Sequence, residues 1–131
     1  MKRHWIEYWH CAPMLPMTFW VHRSVGHYGP WINATEFDPP RQPPVPDKGY
    51  PVFHVEFNGF TFMFASLAEI RECIRVLGTK ALPSTINLSR TRGTSMGPNS
   101  HWLSRLPART KSWRYRKDAV VYLGKALAQF E

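Results

Sequence analysis

The chain has 131 residues, of which 44% are hydrophobic and 15% aromatic, a composition that excludes a disordered tail protein and fits one domain with a sizeable core. Its 17 Lys and Arg residues outnumber 9 Asp and Glu residues, and the net charge of +8 favours a polyanionic partner. Two cysteines, Cys11 and Cys73, are too few for a disulfide framework, so we expect free thiols in a reducing compartment.

The N-terminal third is typical of short β-strands separated by turns. Clusters of β-forming residues at 4–11, 17–25 and 31–37 alternate with prolines and glycines, which predicts two or three antiparallel strands. In the middle cluster, the alternation of Met17 and Val21 with Thr18 and His22 favours a strand. The first cluster lacks the uninterrupted apolar run of a signal peptide, and no later run has transmembrane length, so we expect a soluble, cytoplasmic protein.

Residues 38–51 contain six of the twelve prolines, which predicts a stiff surface connector. A hairpin follows at 52–64, where Asn58-Gly59 predicts a type I′ turn and six apolar side chains lie on one face. Ser66 and Glu69 form a capping box that starts a helix ending near Leu77, and this helix is expected to pack on the Phe-rich face.

The remaining third combines a loop with helical segments. Residues 79–98 lose periodicity and predict a long, flexible basic loop, which is followed by a short helix between about Asn99 and Pro107. The last helix is predicted from about Trp113 to Phe130. The sequence therefore predicts a single α+β domain over 1–131, with an antiparallel sheet, one helix packed on it and a C-terminal helical segment.

The distribution of charge indicates where a partner would bind. No acidic residue lies between Glu72 and Asp118, whereas ten Lys and Arg residues lie there. Several of them occupy the first turns of the last helix, where the helix dipole favours acids, and an anion would compensate for this mismatch. Aromatic residues nearby could stack on unpaired bases. The candidate anion-binding residues are Arg90, Arg92, His101, Trp102, Arg105, Arg109, Lys111, Trp113, Arg114, Tyr115, Arg116 and Lys117. Alternatively, the aromatic residues pack on the core and the charges only solvate the surface.

Other constellations are weaker. Cys11, His22 and His27 have half of a zinc-binding spacing without the paired cysteines, so no metal or other cofactor is predicted. His54 and Glu56 lie on the same face of a strand and could form an oriented acid–base pair, although surface pairs of this kind are common. No catalytic motif is convincing, and the leading expectation is a protein without enzymatic activity.

The segment GPNSHWLSRLPARTKSWRYRKDAVVYLGKAL resembles a group of small basic proteins encoded on bacterial plasmids, integrative elements and phages, in which N-S-H-W-L-S-R-L-P precedes a C-terminal helix. The resemblance covers about residues 52–131 and brings no established activity. It implies a mobile-element context, in which small proteins bind nucleic acid or block host defence complexes, as anti-CRISPR proteins do.

Two functions are therefore expected from the sequence. The first is a nucleic-acid-binding protein that holds DNA or RNA phosphates at the basic start of its last helix. The second is an inhibitor or interaction protein that binds an acidic protein surface or a ribonucleoprotein complex through the same face. Neither the type of nucleic acid nor the oligomeric state follows from the sequence.

Overall fold

The computed structural model describes residues 1–15, 17–26, 36–80 and 106–131. In chain order, the elements within these ranges are β1 (Lys2–Trp9), α1 (Thr18–Val21), β2 (Arg23–Ser24), β3 (Phe37–Asp38), β4 (Tyr50–Phe57), β5 (Phe60–Phe64), α2 (Leu67–Leu77), a 3-10 helix (Ala108–Thr110) and α3 (Trp113–Phe130). The predicted α+β class is confirmed. An antiparallel sheet in the order β1-β4-β5 carries the two long helices, and β2 and β3 form a small separate ladder.

The β4–β5 hairpin forms in the predicted register. Asn58 and Gly59 have φ angles of 44° and 89°, which are the two positive values that a type I′ turn requires. The cross-strand pairs on the apolar face are Phe57 with Phe60, Val55 with Phe62, and Phe53 with Phe64. Local turn chemistry and hydrophobic alternation agree in this segment, which is why the sequence specifies it so tightly.

The core lies between this Phe-rich face and the two long helices. Phe57, Phe64, Ile70, Leu77 and Leu123 are almost completely buried. The α2 helix begins at the predicted Ser66 cap, whose Oγ accepts a hydrogen bond from the Glu69 amide at 3.3 Å. Among the described residues, neither long helix has the combination of length and apolar character needed to cross a bilayer.

The middle N-terminal cluster is the main correction to the predicted fold. Residues Thr18–Val21 form a short helix, α1, instead of a strand, and the strand in this cluster is limited to Arg23–Ser24. The apolar residues Met17 and Val21 are both buried because residues four apart share one face of a helical turn. The same spacing brings Thr18 and His22 together against α2, so tertiary contacts override the local strand pattern.

The Pro-rich connector is largely irregular, as predicted, but both of its ends enter strands. Asp38 belongs to β3, and Tyr50 and Pro51 belong to β4. Pro51 lies opposite Tyr8. Of the predicted loop at 79–98 only Thr79 and Lys80 are described, and the predicted helix between Asn99 and Pro107 lies almost entirely outside the described residues.

Candidate functional site

The start of α3 presents positive charge to solvent, as the sequence indicates. Ser112 caps the helix by accepting a hydrogen bond from the Tyr115 amide at 3.3 Å, and no acidic residue lies in the first turn. Arg114 and Lys117 project into solvent from this turn and the next. The N-terminus of a helix carries partial positive charge, so these two side chains add to the local field.

Arg116 has a different role from its neighbours, because its side chain is only 3% exposed. Its guanidinium donates to four backbone carbonyls, those of Lys111 at 2.8 Å, Leu77 at 3.0 Å, Thr79 at 2.5 Å and Lys80 at 2.9 Å. Three of these carbonyls lie at or just beyond the C-terminal end of α2, where backbone acceptors have no helical donor and the dipole is negative. Arg116 therefore caps α2 from the first turns of α3.

This contact explains part of the charge mismatch at the start of α3. A cation there is unfavourable for the α3 dipole, but Arg116 neutralises the end of another helix that lies alongside. The mismatch that persists at the surface is carried by Arg114 and Lys117.

Three further cations lie next to this helix start. Arg109 is exposed, and its Nη2 donates to the Gly59 carbonyl at 2.9 Å, which ties the segment before α3 to the hairpin turn. Lys111 is half-buried and Lys80 is exposed. We call Lys80, Arg109, Lys111, Arg114 and Lys117 the basic cluster. None of the ion pairs that form within the described ranges involves a member of this cluster.

The aromatic residues of the predicted site mainly support the fold. The Tyr115 hydroxyl donates to the Phe57 carbonyl at 2.7 Å, and the two rings pack edge to face with centroids 5.4 Å apart. Burial raises the pKa of Tyr115 to about 12. Trp113 is half-buried, with the Arg116 guanidinium carbon 5.1 Å from the centre of its ring. The described part of the site is therefore an electrostatic surface more than a stacking platform.

Five residues of the predicted site lie outside the described ranges: Arg90, Arg92, His101, Trp102 and Arg105. Of the predicted residues that are described, Arg114 and Lys117 project freely, Arg109 and Lys111 flank them, and Trp113, Tyr115 and Arg116 lie beneath. Lys80 belongs to the basic cluster but not to the site predicted from the sequence. Its place in the acid-free segment was the available signal.

The possible acid–base pair of His54 and Glu56 does not form, because each side chain contacts a residue of the neighbouring strand β1 instead. His54 lies opposite Trp5, whose indole stacks on the imidazole at 4.9 Å, and its Nε2 is 3.3 Å from Glu7 Oε2. Glu56 instead binds Arg3 at 2.5 Å. Residues two apart on a strand share a face, but a partner on the neighbouring strand lies closer.

His54 is buried under Trp5 and is poorly satisfied. The contact with Glu7 is not aligned for a hydrogen bond, and His54 Nε2 has no hydrogen-bond partner among the described residues. Burial lowers the pKa of His54 below its ordinary value of 6.5, although the Glu7 carboxylate opposes this effect. The hydrogen bond from Trp5, together with the His54 ring, lowers the pKa of Glu7.

A buried polar network around Glu69 was not predicted. Glu69 Oε2 accepts from Thr18 Oγ1 at 2.9 Å and lies 3.0 Å from His22 Nε2, while Oε1 accepts from the Ala65 amide at 2.8 Å. His22 Nδ1 lies 2.9 Å from the Pro39 carbonyl, which can only accept, so this nitrogen is the donor. The network joins α1, the start of the connector and the start of α2. A capping box alone gives no signal of such long-range partners.

The half-zinc spacing is not assembled in the described residues. His22 is engaged with Glu69, and His27 lies outside the described ranges. Within those ranges, no three side chains of His, Cys, Asp or Glu are grouped closely enough to hold a metal ion. Both cysteines are free thiols, with Cys11 exposed and Cys73 buried.

Comparison with known proteins gives no family for this chain. No protein-family model matches it, and neither a curated protein nor a solved structure is significantly similar.

Proposed function

We propose that this chain is a small nucleic-acid-binding protein that holds phosphates with the basic cluster at the start of α3. The observation that supports the proposal best is the pair of exposed cations at the start of α3, with Arg114 in the first turn, which contains no acid, and Lys117 in the second. They form no ion pair with any described residue, so their charge is available to an external anion. Arg116 does not belong to the contact set, since it is buried and four of its five N–H donors bind backbone carbonyls.

The proposed chemistry is electrostatic and does not depend on base sequence. Lys and Arg side chains neutralise phosphates and release condensed counterions, which makes the affinity fall steeply with salt. Arg109 and Lys111 would extend the contact along the backbone of the nucleic acid. The proposal fits either DNA or RNA, and the mobile-element context that the resemblance implies agrees with both.

Fluorescence anisotropy with labelled single-stranded DNA, duplex DNA and RNA, each over a salt series, tests the proposal. The wild type is expected to bind with a logarithmic salt slope of about −0.7 to −0.9 per phosphate contact. Arg114→Ala and Lys117→Ala should each weaken binding uniformly across sequences and reduce the slope by about one contact. Lys125→Ala is the matched control, because Lys125 is an exposed lysine of the same helix about 12 Å farther along.

Absent or salt-independent binding would overturn the proposal. A protein partner captured from nuclease-treated host lysate, and lost in the Arg114 and Lys117 variants, would instead favour an inhibitor of a host complex that uses the same face. The two outcomes are distinguished by whether purified nucleic acid alone binds the chain.

A further inference from the structure

The β1 strand forms one edge of the three-stranded sheet, and no other described strand pairs with its outer side. Eight residues long, it leaves a row of backbone donors and acceptors without a strand partner in the described part of the chain. Ile6 and Tyr8 are 37% and 38% exposed, and they lie on the same face of this strand because they are two residues apart. Long edges of this kind are templates for pairing with another strand.

The register within the sheet shows which backbone groups point outward. The Asn58 amide donates to the Met1 carbonyl at 2.9 Å, so Met1 and Asn58 form a hydrogen-bonded pair. Because hydrogen-bonded and non-hydrogen-bonded pairs alternate along an antiparallel ladder, the backbone N–H and C=O groups of odd-numbered β1 residues point toward β4. Those of even-numbered residues point away from the sheet edge. Pro51 opposite Tyr8 agrees with this phase, because a proline has no amide to donate at that point.

We propose that two copies of this chain pair through β1 in antiparallel orientation and form one continuous six-stranded sheet. The outward backbone groups of the two β1 strands can form hydrogen bonds with each other only when even-numbered residues of one copy lie opposite even-numbered residues of the other. In the central register of this kind, Trp5 lies opposite the partner's Trp5, and about eight backbone hydrogen bonds would join the copies.

Charge selects this register over its neighbours. With Trp5 on the two-fold axis, Arg3 lies opposite the partner's Glu7, and Glu7 lies opposite the partner's Arg3. Both are non-hydrogen-bonded positions, where side chains approach closely, and both side chains are accessible, at 62% and 51% exposed. On the other face, Lys2 would meet the partner's Tyr8. A shift of the axis to His4 or to Ile6 removes both Arg–Glu pairs. The occupant that fits this edge is therefore a second copy.

Charge reversal tests the interface by sedimentation equilibrium. The wild type is expected to dimerise, and Arg3→Glu or Glu7→Arg alone should raise the dimer dissociation constant at least about tenfold, because two attractive pairs become two repulsive pairs. An equimolar mixture of the two variants should dimerise again. In the mixed dimer the introduced glutamate faces the introduced arginine, and the other pair keeps its native residues, so both pairs are attractive. Lys125→Glu, an equal charge change on α3, should leave the dimer unchanged.

The mixing experiment separates a lost interface from a lost fold. Arg3 also binds Glu56 within its own subunit, so Arg3→Glu could loosen β1, but a folding defect would not be repaired by adding the Glu7→Arg variant. A monomeric wild type, dimers that tolerate both reversals, or variants that fail to associate on mixing would each overturn the proposal.

A disulfide scan tests the register independently, in a Cys11→Ser background that removes the exposed native thiol. Oxidation should link two copies of Trp5→Cys, because their Cα atoms would lie about 4.5 Å apart. His4→Cys and Ile6→Cys are the controls, since each would face its own copy only in one of the two neighbouring registers. Cross-linking of a control in preference to Trp5→Cys would contradict the proposed pairing. The proposal does not rest on nucleic-acid binding, and neither result decides the other.

Discussion

At the scale of single residues, similar side chains have different roles because their surroundings differ. Arg114 and Arg116 are two positions apart, yet one projects into solvent and the other binds four carbonyls. A buried guanidinium is tolerated because backbone oxygens satisfy its donors. Counting arginines from the sequence therefore overstates the charge that is available at the surface.

Arg116→Lys is expected to destabilise the fold by about 2–3 kcal/mol, because an ammonium cannot reproduce the guanidinium fork and leaves carbonyls at the end of α2 without a donor. Urea denaturation followed by circular dichroism measures the change. Arg114→Lys is the matched control and should alter the free energy of unfolding by no more than about 0.5 kcal/mol. Equal stability of the two variants would show that the Arg116 contacts contribute little.

His54 is expected to make stability depend on pH. Burial holds its folded-state pKa below 6.5, so the unfolded chain binds the proton more readily, and the stabilisation is lost as the pH falls from about 6.5 toward the lowered pKa. His54→Phe keeps an aromatic ring against Trp5 but cannot titrate. Its free energy of unfolding should fall less between pH 7.5 and pH 5.5 than that of the wild type, in denaturation curves at both values. His10→Gln, at an exposed position, should retain the wild-type dependence.

At the scale of elements, predictability follows the range of the interactions. The hairpin, α2 and α3 are predicted correctly because turn residues, caps and periodicity act within each segment. The α1 segment is predicted wrongly because its conformation is fixed by Glu69, about fifty residues away, and no local pattern reports that contact. Likewise, the side chains that contact His54 belong to β1, and the spacing of residues along β4 alone could not indicate them.

Two glycines should respond oppositely to alanine. At Gly49, φ is +111° and an added Cβ would lie 2.4 Å from the Trp9 carbonyl oxygen, so Gly49→Ala should destabilise the end of β1 by about 2 kcal/mol or more. At Gly124 nothing lies within 4 Å of the added atom, and Gly124→Ala should stabilise α3 by about 0.5–1 kcal/mol. Thermal unfolding should show a lower melting temperature for Gly49→Ala and a higher one for Gly124→Ala than for the wild type. Shifts of both variants in the same direction would contradict this prediction.

At the scale of the whole molecule, two buried charged side chains, Glu69 and Arg116, join elements that are distant in sequence. The Glu69 network fastens the N-terminal segment to α2, and Arg116 fastens α2 to α3. The Phe-rich core packs against both long helices, so the start of α3, which carries the basic cluster, is held in place by a well-packed core. From the sequence, the location of the positive charge could be predicted, but its division into a surface part and a buried part required the packing of one helix end against another.

Complete burial of Cys73 has a consequence for kinetics. Its neighbours exclude solvent, and burial raises the pKa of the thiol well above its usual range, so the folded chain disfavours the reactive thiolate. A thiol-modifying reagent would therefore label Cys11 at once and Cys73 only when the core opens. The ratio of the labelling rate of Cys73 to that of Cys11 therefore measures the fraction of molecules in which the core is open, with Cys11 as an internal reference.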